Sequence, residues 1–139
     1  MRRGAAWTGD VVAQPVRGEL APMQIRLAQE LMADQLHRAL NLPELAAQFG
    51  MSPAGFRKAF LQSVGMTPQR WHLRRRIVRS AALLHDDDLT LGEIAGQCGF
   101  ADRQHYTKAF RRILGVTPGY WRRRIRMGTL RVGDALKCS

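Results

Sequence analysis

Side chains able to read the edge of a base stand together at two places in this chain. The first set is Ala54, Arg57 and Lys58, with Leu61 beyond them; the second is Arg103, Gln104, His105, Thr107 and Lys108. Arg and Gln can pair bidentately with guanine and adenine, Lys can reach guanine or a phosphate, and a small or apolar group can meet a thymine methyl. Each set is interleaved with apolar residues at helical spacing: Phe56, Ala59, Phe60 and Val64 in the first stretch, Tyr106, Ala109, Phe110 and Leu114 in the second. The spacing predicts two amphipathic helices, each burying one face and offering the other. Inert helices also carry charged outer faces, so the weight lies in finding the arrangement twice.

A wider basic field surrounds both sets. The chain holds 22 Lys and Arg against 11 Asp and Glu, a formal net charge of +11. No acid interrupts the basic residues between Arg57 and Arg79, nor those between Arg103 and Arg131. Such one-signed stretches repel themselves unless a polyanion is near, which makes nucleic acid the leading partner and an anionic membrane surface the second. Arg74, Arg75, Arg76, Arg79, Arg111, Arg112, Arg122 and Arg123 are expected to contact phosphate, helped by the helix starts at Thr67 and Thr117.

Other chemistries find little support. Cys98 and Cys138 form no CxxC pair, and Cys98 occupies a slot that suits a small buried side chain in a reducing cytoplasm. His37, His72, His85 and His105 lack the spacing of a helical zinc pair. Asp86, Asp87 and Asp88 lack further ligands and read as a solvated connector. No catalytic residue, metal site or cofactor is expected. No apolar run has the length of a signal peptide or a membrane span, so the protein is expected to stay in the cytoplasm, associated with the nucleoid.

The elements that must position these side chains are written twice. Glu44, Ala46, Gln48 and Gly50 recur as Glu93, Ala95, Gln97 and Gly99 at an offset of 49; Lys58, Ala59, Phe60, Gly65, Thr67, Pro68 and Trp71 recur at an offset of 50. The repeated unit is a helix, a tight turn and a second helix. Caps punctuate it: Asn41 with Glu44 and Thr90 with Glu93 as capping boxes, Ser52-Pro53 and Asp102-Arg103 before the second helices, and Thr67-Pro68 and Thr117-Pro118 before the third.

An all-α fold follows, in which two helix-turn-helix units are joined by a long connecting helix. Residues 1–21 read as a flexible lead or linker stub, 22–127 as the folded domain and 128–139 as a tail. The units run over about 23–66 and 90–126, and the connecting helix over about 68–85. Periodicity from Met23 to Leu40 predicts a single amphipathic helix ahead of the first unit. At 1.5 Å per residue the connecting helix would span roughly 27 Å. That would let the two outward faces meet successive major grooves about 34 Å apart on slightly bent DNA.

The stretch EIAGQCGFADRQHYTKAFRRILGVTPGYW resembles the signature of the C-terminal DNA-binding domain of AraC/XylS-type bacterial transcription regulators, and the similarity runs from about Leu20 to Arg126. The resemblance implies about seven helices, binding of promoter DNA at an asymmetric site, contact with RNA polymerase and no enzymatic activity. By motif position it places base reading on Ala54, Arg57 and Lys58, and on Arg103, Gln104, His105, Thr107 and Lys108. The domain also occurs in alkyl-transfer repair proteins, an alternative that needs a reactive cysteine. Gly55 inside the first reading helix departs from the pattern, at a cost of about 1 kcal/mol relative to Ala. The chain has room for no small-molecule effector domain, which suits either a minimal regulator or a piece of a longer one.

Overall fold

A computed structural model of the chain describes residues 18–128, which hold seven α-helices and no strand. These are α1 (Pro22–Ala33), α2 (Leu42–Ala47), α3 (Pro53–Val64), α4 (Pro68–Leu83), α5 (Leu91–Gln97), α6 (Arg103–Leu114) and α7 (Pro118–Arg126). Of the tail proposed for residues 128–139 all but Gly128 lies outside the described residues, as do Cys138 and the lead as far as residue 17. The described residues divide into two compact units, the first comprising 18–35 and 40–72, the second 36–39 and 73–128.

The punctuation seen in the sequence sets the helix starts. Asn41 Oδ1 accepts the Glu44 amide at 3.1 Å, Ser52 Oγ the Gly55 amide at 3.0 Å and Asp102 Oδ1 the His105 amide at 2.7 Å. Thr67 and Thr117 cap α4 and α7 through the amides of Arg70 and Tyr120. Thr90 and Glu93 form the complete reciprocal box, at 3.1 and 2.8 Å. Each cap satisfies an amide that has no partner within its helix and stabilises the helix by about 1 kcal/mol.

In unit 1, Phe49, Phe56 and Phe60 stack successively at centroid distances of 5.2 and 5.9 Å and pack with Ala28, Met32, Leu45 and Ala46. Leu20 joins this core, and its amide donates to Ser63 Oγ at 2.8 Å, so the packed part of the unit begins ahead of Pro22. Unit 2 repeats the plan: Phe100, Tyr106, Phe110 and Trp121 stack in sequence over Ile77, Ala81, Ile94 and Ala95. Cys98 is fully buried where unit 1 has Phe49. Small Ala46 and Ala95, both without exposed surface, let the crossing helices approach.

Two helices end earlier than their periodicity predicts. α1 stops at Ala33 rather than continuing to Leu40, because the backbone turns at Asp34, whose amide reaches the carbonyls of Glu30 and Met32. The Gln35 carbonyl is then taken by His72 Nε2, which donates at 2.8 Å. Leu36–Ala39 leaves for unit 2, where it lies against the turn at Gly99. α4 ends at Leu83 rather than at residue 85, its last amides tightening from i−4 to i−3 acceptors: Leu84 is shared by Ser80 and Ala81, His85 bonds Ala82, and Asp86 bonds Leu83. The 16 residues of α4 span about 24 Å. The aspartates beyond serve the turn: Asp86 Oδ1 accepts the Asp88 amide at 2.9 Å, and Asp87 pairs with Arg126 at 3.1 Å.

Candidate nucleic-acid interface

Unit 1 offers its outward residues on α3. Ala54, Arg57 and Lys58 are exposed, and Leu61, on the same face one turn further on, is 39% exposed. Phe56, Ala59 and Phe60 hold the opposite face in the core. The Ser52 cap fixes the first turn of α3, and Gly55 contributes by what it lacks, since a Cβ there would stand 3.0 Å from Ser52 Oγ. Leu61 is a large apolar group with part of its surface open to solvent, suited to a thymine methyl. It stands at the position of Arg111 in the second unit.

Unit 2 gathers its candidates more tightly. Arg103, Gln104, Thr107, Lys108 and Arg111 line one concavity together with Thr117, the cap of α7. Their spacing of i, i+1, i+4, i+5 and i+8 places them on one stripe of α6, opposite the buried Tyr106, Phe110 and Leu114. His105 stands at the edge of that stripe. Its ring meets Phe100 edge-on at 5.9 Å, and with Asp102, Gln104 and Lys108 it lines a second, smaller recess.

The wider arginine set divides. Arg75, Arg79, Arg111, Arg112 and Arg123 are exposed, while Arg74, Thr67 and Thr117 are half-buried. Arg76 and Arg122 are placed otherwise than the sequence suggests. Arg76 is buried on α4, its Nε donating to the Cys98 carbonyl at 2.8 Å and its Nη2 to the Gly99 carbonyl at 2.6 Å. Arg122 is buried on α7 and donates to the carbonyls of Leu84 and Asp86 at 3.2 and 2.9 Å. A buried guanidinium must satisfy its donors within the protein, so neither side chain is presented to a phosphate.

The repeat already holds the signal for both. At the offset of 50 Arg122 corresponds to His72, and at 49 Leu84 corresponds to Gln35, so two inward-pointing nitrogen donors make the corresponding bond in each unit, from the third helix to the end of the first. At 49 Arg76 corresponds to Leu27, which is half-buried against the unit 1 core. Burial raises the Cys98 thiol above its ordinary range, against the opposing pull of Arg79 and Arg76. A raised, buried thiol is a poor nucleophile, which removes Cys98 from the alkyl-transfer alternative. Among the described residues no group of three or more His, Cys, Asp or Glu side chains could hold a metal ion, and no helix is long and apolar enough to cross a membrane.

Comparison with known proteins gives this arrangement a context. A helix-turn-helix domain family matches residues 45–124, more than half of the chain. The HTH-type transcriptional activator RhaR of Klebsiella pneumoniae subsp. pneumoniae is 36% identical over 95 residues, a segment that is 68% of this chain and 34% of that protein. This chain thus spans about a third of the length of such relatives. Among solved structures, the DNA-binding domain of AdpA, a global transcriptional factor crystallised with a target DNA, superimposes with a TM-score of 0.68 at 28% identity, covering 77% of this chain and 98% of that one. An AraC-type transcriptional regulator from Chromobacterium violaceum gives 0.67 at 25%, covering 73% and 90%. With the doubled helix-turn-helix, its caps and the exposed outward faces of α3 and α6, these likenesses lead to one conclusion: the chain belongs to the AraC/XylS-type family of helix-turn-helix, DNA-binding transcription regulators.

Proposed function

We propose that this chain binds double-stranded promoter DNA sequence-specifically as part of transcription control, with α3 and α6 entering successive major grooves of an asymmetric site. The observation that carries the reading is the α6 stripe, where Arg103, Gln104, Thr107, Lys108 and Arg111 stand together in one concavity with a helix cap beside them. A purely electrostatic module for RNA or an anionic membrane would need the charges but not the neutral Gln104 and Thr107 among them. The assignment of Ala54, Arg57 and Lys58 in unit 1, and of Arg103, Gln104, His105, Thr107 and Lys108 in unit 2, is supported by position on the helix after each turn and by exposure, Thr107 alone being half-buried. Phosphate contacts fall to Arg74, Arg75, Arg79, Arg111, Arg112 and Arg123, with the capped starts at Thr67 and Thr117. RNA polymerase is the proposed second partner, and the nucleoid the proposed location.

Selection of bound duplexes from a random pool, followed by affinity measurement at 0.15 M salt, tests the reading. It expects an asymmetric consensus bound about a thousandfold or more tighter than scrambled duplex. Comparable affinity for RNA, scrambled duplex and the selected site would overturn it.

A further inference from the structure

Arg76 ties the turn ahead of α6 from behind. Its two hydrogen bonds run to the carbonyls of Cys98 and Gly99, and its guanidinium carbon lies 4.2 Å from the centroid of the Phe100 ring, so one side chain grips three consecutive residues. Phe100 in turn meets His105 at 5.9 Å and Tyr106 at 5.3 Å, both in the first turn of α6. The turn is closed on its other side as well, where the backbone of His37 and Arg38 leaves no space for a Cβ on Gly99. The corresponding position in unit 1 is Leu27, whose side chain carries no donor.

We propose that Arg76 is a positioning residue that sets the presentation of the α6 reading face, a device written into only one of the two repeats. The inference rests on α6 being a base-reading helix. Bidentate pairing with a base tolerates little error in helix orientation, so a rigid turn raises specific affinity by removing the entropy of ordering on contact. A planar fork suits this grip: Nε and Nη2 can meet two neighbouring carbonyls at once while the flat face lies on an aromatic ring. A lysine keeps the charge and the apolar stem but has no fork and no flat face.

The test compares Arg76→Lys and Arg76→Met with the unaltered chain, in hydrogen exchange of the free protein and in binding to the selected duplex. The expectation is faster exchange of the amides from Gly99 to Tyr106 in both variants, with α3 amides unchanged. Affinity for the selected site falls about tenfold, the loss concentrated at the base pairs read by α6, and the salt dependence stays the same. Full rescue by lysine with an unaltered turn would overturn the proposal. So would an equal loss on all duplexes with a salt slope flattened by about one, the mark of a phosphate contact. Accelerated exchange throughout both units would reduce Arg76 to a general staple of the fold. If the methionine variant does not fold, lysine alone decides. Should the unaltered chain select no sequence, the duplex reading fails, while the exchange data still decide whether the grip exists.

Discussion

Arg103 and Arg75 carry the same charge and are both exposed, yet they stand in different surroundings. Arg103, at the start of α6, shares its concavity with the neutral Gln104 and Thr107 as well as with Lys108 and Arg111, and a fork there can meet a guanine edge; Arg75 lies in a run of arginines on α4. Replacing Arg103 with Ala should cost about 1–3 kcal/mol on the selected site and relax selectivity at one position. Arg75→Ala should weaken all duplexes alike and lower the salt slope by about one. Equal, unselective losses in a panel of singly substituted duplexes would remove Arg103 from the reading set. Glu93 gives a residue-scale prediction without DNA. The Thr90 amide and hydroxyl bonded to its carboxylate hold it below the usual carboxylate value. A depressed folded value means that the contribution is present above the unfolded value and is lost as pH falls through the lower folded one. An NMR titration should therefore find Glu93 titrating below the usual carboxylate range, and Thr90→Ala should raise it toward that range. Such residue roles were only partly legible beforehand. Caps and core positions follow from local spacing. The inward course of Arg76 and Arg122 depends on carbonyls 22 to 38 residues away, which spacing along a single helix does not register.

Among the elements, the two turns carry the same glycine in different enclosures. Gly99 has φ +82 and backs onto another strand of backbone, so that an added Cβ would lie 2.6 Å from Arg38 Cα and 2.7 Å from its nitrogen. Gly115, which ends α6, has a nearly identical φ of +83 and nothing within 4 Å of the same added atom. Gly115→Ala therefore meets only the left-handed backbone cost, about 1–2 kcal/mol. Gly99→Ala meets that cost plus a collision with main chain, which cannot swing aside as a side chain can, and should destabilise by at least about 1 kcal/mol more. Chemical denaturation of the two variants separates these outcomes; equal losses would show that Leu36–Ala39 yields easily. This enclosure also explains why the predicted α1 was too long. The apolar rhythm from Ile25 runs on to Leu36 and Leu40, and local periodicity has no means of knowing that Leu36–Ala39 packs in the other unit. Where only neighbours in sequence decide, as at Thr67-Pro68 or Ser52-Pro53, the boundaries match to the residue.

For the whole molecule, duplication separates what is kept from what is changed. The offset preserves the caps, the aromatic pair of each second helix (Phe56 with Phe60, Tyr106 with Phe110) and the bond from the third helix to the end of the first. The outward positions diverge: Ala54 stands against Gln104, Arg57 against Thr107, and Leu61 against Arg111. Unit 1 thus offers a methyl, one forked cation and an apolar tip, while unit 2 offers an amide, a hydroxyl and a second arginine. Unlike contact sets select unlike base pairs, so the chain should read an asymmetric sequence although its two halves share one plan. The strongest test alters three of the divergent positions. Ala54→Gln, Arg57→Thr and Leu61→Arg together give α3 three of the outward groups of α6, with Pro53 and Gly55 still standing against Arg103 and His105, and all three sites are exposed, so the core stacking of Phe49, Phe56 and Phe60 is left intact. Selection from a random pool with this triple variant should return two half-sites more alike than those of the unaltered chain. The half-site bound by unit 2 should be unchanged, because its residues are untouched. Affinity should change by less than the roughly 1–3 kcal/mol expected for each lost bidentate contact, since Gln and Arg are gained as Arg57 is lost. A consensus that stays as it was would mean that α3 contributes only phosphate contacts, leaving all sequence reading to α6.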